Sequence, residues 1–168
     1  MARFLGAAAA LLLAMAGTSG ARAEDYPART VTVIVPFAAG VPADITGRLV
    51  ADIFSRHLGQ KFVVENVGGA GGTTGALRAA KSAPDGYTLL SGHLGTNALA
   101  PAFYPNLGYD PQKDFAPTGV SAEYPEVMVV RKDFPANTLQ EFIAYAKANP
   151  DKLNAGHAGL GSVSYAGC

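Results

Sequence analysis

Cysteine is almost missing from this chain of 168 residues: the one present, Cys168, is the last residue. An internal disulfide is thereby excluded, and the fold must be held by its core. A charge excess is missing too. Lys and Arg number 13 against 13 Asp and Glu, with no run of either sign, which argues against nucleic acid as a partner. The motifs of several familiar chemistries are also absent. There is no H-E-x-x-H or cysteine cluster for a metal, no G-K-[ST] for a phosphate-cradling loop, and no G-x-S-x-G elbow for a nucleophile. Ser91, Ser162, Ser164, His93 and His157 could be combined into a nucleophile and base, but no acid is placed to orient either histidine. Neither catalysis, a metal nor a cofactor is expected.

Long apolar runs are scarce, and the one that stands out lies at the start. Arg3 precedes an apolar stretch from Leu5 to about Ala16, then small residues and an A-x-A pattern at Ala21-Arg22-Ala23. This reads as a secretory signal peptide over residues 1–23, cleaved near Ala23. The run is well short of the roughly 20 residues a membrane span needs. What remains, roughly 145 residues, is enough for one domain with a real core. Half the residues are apolar and 20 are glycine, which suits a buried-sheet α/β protein with tight loops.

The chain is organised around Val31-Thr32-Val33-Ile34-Val35, a β-branched run of the kind that forms a strand buried on both faces. It ends in a turn, Pro36 to Asp44, and from Ile45 the spacing of Ile45, Leu49, Ile53 and Leu58 predicts an amphipathic helix laid on that strand. Gly59 supplies its stop. A helix start above a strand end attracts anions, although an ordinary connection with nothing bound has the same appearance. Lys61 to Asn66 repeats the strand. The glycine-rich bend Gly68 to Gly75 then leads into a short helix from Ala76 to Ala80, and its glycines fit close packing better than a dinucleotide fingerprint. Pro84-Asp85-Gly86 is a turn that launches a third strand, Tyr87 to Leu90. That strand ends in a polar loop, Ser91 to Asn97, before a short helix containing Leu99 and Phe103. His93 in this loop is either a ligand contact or a histidine without a role.

A proline-punctuated stretch from Tyr104 to Pro117 reads as an extended, semi-rigid crossover. Beyond it, Val127-Met128-Val129-Val130 predicts a buried strand. Thr138-Leu139-Gln140-Glu141 is a capping box opening a helix with Leu139, Phe142, Ile143 and Ala146 on one face, ended by Asn149-Pro150. A further polar loop, Gly156 to Ser164, follows.

Taken in order, Tyr26-Pro27, Val35-Pro36-Phe37-Ala38-Ala39-Gly40, Asp44, Val64-Glu65-Asn66, Gly69-Ala70-Gly71-Gly72, Pro84-Asp85-Gly86-Tyr87-Thr88-Leu89, Tyr109-Asp110-Pro111 and Asp114-Phe115-Ala116-Pro117 resemble the Bug family. These are extracytoplasmic solute receptors of tripartite tricarboxylate transporters. The resemblance implies an α/β, type II periplasmic binding protein, a two-lobed Venus flytrap with parallel-sheet lobes. Residues 24–117 would form the first lobe and crossover, and 118–168 the start of the second. Family members are about twice as long, so the second lobe is expected to be incomplete and the chain a fragment. The implied partners are a small carboxylated solute, a di- or tricarboxylate or an acidic amino acid, and the membrane permease subunits. A receptor presenting its solute to a membrane sensor kinase would use the same residues.

Carried over by position, the first-lobe contacts are Phe37, Ala38, Gly40, Ala43 and Asp44, with Leu94, Thr96 and Asn97 from the loop after the third strand. Those of the second lobe are Gly159, Gly161, Ser162 and Ser164. Donors at helix starts can satisfy a carboxylate without a counter-charge. Asp44 would repel one, so it is expected to cap its own helix or to accept a bond from a ligand amine or hydroxyl. Gly40-Val41-Pro42 departs from the family's Gly-Gly and removes one N–H donor. Asn is common in the family where Thr73 stands, and His is common near Tyr165.

Overall fold

A computed structural model describes residues 25–123 and 125–167. The expected signal peptide lies outside the described residues. Among them, no helix is long and apolar enough to cross a membrane.

Three parallel strands, β1 (Val31–Val35), β2 (Phe62–Asn66) and β3 (Thr88–Leu90), form one sheet in the order β2-β1-β3. Val31 pairs with Phe62 and Val35 with Asn66, while Thr32 pairs with Thr88 and Ile34 with Leu90. The central strand is the apolar one because a strand with neighbours on both edges and helices on both faces meets no water. Val31, Val33, Ala51 and Phe62 make the core beside it, with Val64, Tyr87 and Leu89 packed against them. The chain passes from β1 outward to β2 and then back across to β3 on the other side. The loops after β1 and β3 therefore diverge at a topological switch point, where α/β sheets open a crevice.

Helix α1 (Pro42–Leu58) starts three residues before the expected Ile45, with Pro42 in its first turn and Gly59 closing it at φ 72°. Proline suits that first position, where its missing N–H is not needed. The face that packs is not the expected one. Ile45 and Leu49 remain 62% and 57% exposed, and the buried residues of α1 are Asp44, Gly47 and Ala51. The reason is distance: a methyl group on Gly47 would stand 2.6 Å from Val35 Cγ2. A small-residue stripe brings the helix axis closer to the sheet than leucines would allow, and the large apolar side chains are turned outward.

After β2 a tight helical turn, Ala70–Gly72, leads into α2 (Thr73–Ala80). The bend packs closely, as the sequence suggested: a methyl at Gly75 would lie 2.8 Å from Pro36 Cα. A π-helical turn, Gly95–Leu99, continues into α3 (Ala100–Phe103). The crossover is less extended than its prolines predict. Tyr109 is buried in it and donates to Thr96 O at 2.7 Å, tying the crossover to the loop after β3. Burial raises the Tyr109 phenol to about 12.

The expected buried strand at Val127 to Val130 does not form. The segment is unpaired, with Val127 73% and Val129 87% exposed. Apolar β-branched composition favours a strand only where a neighbour supplies hydrogen bonds and a covering face, and no described strand pairs with this segment. Helix α4 (Leu139–Ala148) has the predicted cap, Thr138 Oγ1 accepting from Glu141 N at 3.2 Å. Glu141 reaches back to accept from Asn137 N at 2.7 Å. Its apolar face is not buried as a whole: Leu139 and Ile143 are exposed, while Phe142 and Tyr145 pack on Phe134. The last described element is α5 (Val163–Gly167).

Candidate functional site

At the carboxyl edge of the sheet lies a cavity of about 460 Å³. One wall is the loop after β1 and the first turns of α1: Phe37, Val41, Pro42, Ala43 and Thr46. Ala43 and Thr46 are three apart, so one helix face presents both. The positive end of the α1 dipole is thus turned toward the cavity, worth about 0.3–1 kcal/mol for an exposed anion. The loop after β3 supplies the second wall, Ser91 to Leu94. The polar loop near the C-terminus supplies the third, with Ala158, Ser162 and Ser164. Glu123 and Glu126 stand on the remaining side, and the lining contains no Lys or Arg among the described residues.

The first wall is braced from behind by a buried network. Asp44, 3% exposed, accepts from Gly40 N at 2.8 Å and Arg48 Nε at 3.0 Å through Oδ2, and from Asn66 Nδ2 at 2.8 Å through Oδ1. Asn66 also donates to Phe37 O at 3.1 Å, and Arg48 donates to Asn66 Oδ1 at 2.9 Å. The Arg48 hydrogen bond, with those from Gly40 and Asn66, holds the Asp44 carboxyl down at about 2. Asp44 therefore does not cap α1: its carboxylate sits one turn inside the helix and reaches back past the Val41 cap to the loop.

His93 anchors the second wall. Its Nδ1 accepts from Gly95 N at 2.8 Å, and its ring lies against Phe37, centroids 4.8 Å apart. With Nδ1 as acceptor the neutral ring carries its proton on Nε2, which is buried with no partner among the described residues. Burial lowers the His93 pKa below the usual 6.5, favouring that neutral form. Thr96 is fully buried behind the turn, its hydroxyl accepting from His93 N at 3.2 Å. In the third wall Ser162 Oγ donates to Gly159 O at 2.6 Å and accepts from Tyr165 N at 3.2 Å. Ser164 Oγ accepts from Ala158 N at 3.1 Å.

Of the residues expected at a site, Phe37, Ala43, Leu94, Ser162 and Ser164 line the cavity. Asp44, Thr96 and Asn97 stand behind its walls, where their polar groups hold loops in place. Ala38 and Gly40 lie on the exposed part of the β1 loop. Gly159 and Gly161 meet Gly71 and Tyr104 instead of the cavity. His93, for which the sequence left a ligand contact and no role both open, lines the cavity, and with it stand Thr46, Ser91, Glu123 and Glu126, none of them among the contacts expected from the sequence. Helical spacing from Ala43 could have found Thr46, and position directly after β3 could have found Ser91. The glutamates arrive through tertiary placement and leave no local signal.

No group of three or more His, Cys, Asp or Glu among the described residues is placed to hold a metal ion. What the walls offer is a helix start, hydroxyls and one neutral imidazole, donors suited to a small polar solute.

A parallel sheet with a ligand-sized crevice at its switch point is an architecture that periplasmic binding proteins share with other open α/β folds, and solved structures of that class match it. MatC from Rhodopseudomonas palustris with bound malate superposes with a TM-score of 0.79 at 50% identity, over 85% of this chain and 49% of that one. Periplasmic binding protein BugD matches at 42% identity and a TM-score of 0.69, over 82% of this chain and 46% of that one. The family described as "Tripartite tricarboxylate transporter family receptor" matches residues 46–167, and the chain belongs to it. A UPF0065 protein from the TAR-I ttuE-ttuC' intergenic region of Agrobacterium vitis is 48% identical over 145 residues, 86% of this chain and 42% of the relative. The chain spans about half the length of the relatives it matches.

Proposed function

We propose that this chain forms the ligand-facing part of a periplasmic receptor that captures a small carboxylated solute and delivers it to the membrane permease subunits of a tripartite tricarboxylate-type transporter. Residues 24–117 then act as the first lobe with the crossover and 118–168 as the beginning of the second, after removal of an export signal near Ala23. The observation that carries the reading is the cavity at the switch point, walled by Phe37, Ala43, Leu94, Ser162 and Ser164. Membership of the receptor family supports it, as does bound malate in the R. palustris neighbour.

The mechanism is capture without chemistry. One carboxylate takes the α1 start, where a helix dipole and neutral donors replace a counter-charge. Hydroxyl groups of Thr46, Ser91 and Ser164 satisfy the ligand's remaining oxygens. Glu123 and Glu126 repel excess negative charge, so a dicarboxylate or an acidic amino acid is favoured over a tricarboxylate.

A thermal melt of the purified chain with malate, succinate, adipate, citrate, aspartate and glutamate tests this. A ligand at a hundredfold excess over its Kd adds about 2.7 kcal/mol and raises the midpoint. The expected result is a shift with one or more dicarboxylates or acidic amino acids, larger than with citrate. A cooperative melt that no carboxylate shifts refutes the reading.

A further inference from the structure

The loop from Gly156 to Ser164, one wall of the cavity, is held in place by residues that do not line it. Tyr104 Oη donates to Leu160 O at 2.7 Å, and its ring lies under Gly161, where a methyl group would stand 3.0 Å from Tyr104 Cε2. Next to it Phe103 meets Tyr165 edge to face, with centroids 5.3 Å apart. On the other side of the loop the two backbones touch. A methyl on Gly71 would overlap the Leu160 carbonyl, one on Gly159 would come within 3.1 Å of Gly71 N, and one on Gly95 within 3.0 Å of Gly161 O. Side chains at these positions would push the loops apart by the thickness of a methyl group, and the Tyr104 hydrogen bond could not then close.

We infer that Tyr104 and Gly71 form a latch that positions this loop, and with it Ser162 and Ser164, as the third wall of the cavity, so that they set how long a bound solute is retained without touching it. Tyr104 extends from the end of α3 and Gly71 from the bend before α2, so the loop is gripped from two elements of the sheet layer at once. The retention role rests on the receptor reading above; the latch itself does not.

Amide hydrogen exchange on the full chain tests the latch with no ligand present, comparing wild type with Tyr104→Phe and Gly71→Ala. Tyr104→Phe keeps the ring and removes only the hydroxyl, so its fold is expected to persist. Peptides covering residues 156–166 should exchange about tenfold faster in both variants, while those of β1 and β2 stay as in wild type. Unchanged exchange in that loop overturns the latch, and so does an increase spread evenly over the sheet. Retention is read with malate as the probe: Tyr104→Phe should raise its dissociation rate about tenfold and leave its association rate within about twofold. An unchanged dissociation rate overturns the retention role. If no carboxylate binds the wild type, that role falls with the receptor reading, and the exchange comparison still decides the latch.

Discussion

Asp44 shows how much one side chain can be redirected by its surroundings. From its place beside a helix start it reads as a cap or as an acceptor for a ligand amine. In the fold three donors from the loop, from α1 and from the end of β2 converge on it, and it becomes the brace behind the Phe37 wall. The pH dependence follows from its depressed value. In the unfolded chain Asp44 takes up a proton near 3.8, and in the folded chain only near 2. Its contribution to stability is therefore present in full above pH 4 and declines as pH falls from about 4 toward 2. Urea midpoints measured across that window should fall more steeply for wild type than for Asp44→Asn, which should be the less stable of the two at neutral pH. Parallel curves would remove Asp44 from the account.

On the scale of elements, α1 carries the main lesson. Its large apolar residues and its small ones compete for the sheet, and the small ones win because Gly47 and Ala51 permit the shorter interaxial distance. A Gly47→Ala substitution gains about 1 kcal/mol in helix propensity but overpacks against Val35, at a cost of about 1–3 kcal/mol. A β-branched strand residue has little freedom to move aside, so a net loss of about 1 kcal/mol is expected in chemical denaturation. Leu49→Gln, on the exposed face, should stay within about 0.5 kcal/mol of wild type. A loss of 2 kcal/mol or more at Leu49 would mean that the large apolar face is packed after all.

At the scale of the whole molecule, the sheet layer and the segment beyond residue 118 are unequal. β1, β2 and β3 share a ladder and a core, whereas Val127 to Val130, Leu139 and Ile143 offer apolar surface to solvent. An unpaired extended run with free backbone donors and acceptors is a template for association. Sedimentation of the purified chain is expected to show concentration-dependent self-association. A Val127→Thr, Val129→Lys double variant should reduce it while leaving the thermal midpoint nearly unchanged. A wild type that stays monomeric throughout the concentration range would contradict this.

Local signals by themselves determined much of the protein. The β-branched run of β1, the turn at Pro84 to Gly86, the Gly59 stop and the Thr138 cap are each decided by residues within a few positions of one another, because dihedral preferences and caps are short-range. The family, too, was legible in ordered short motifs, and with it the loops that border the cavity. Tertiary structure alone decided which face of α1 is buried, whether Val127 to Val130 finds a partner, and that Asp44 braces a wall while Glu123 and Glu126 stand at the cavity. These depend on which surfaces come within a few ångströms of each other, and helix approach, strand pairing and desolvation arise between segments far apart in the chain.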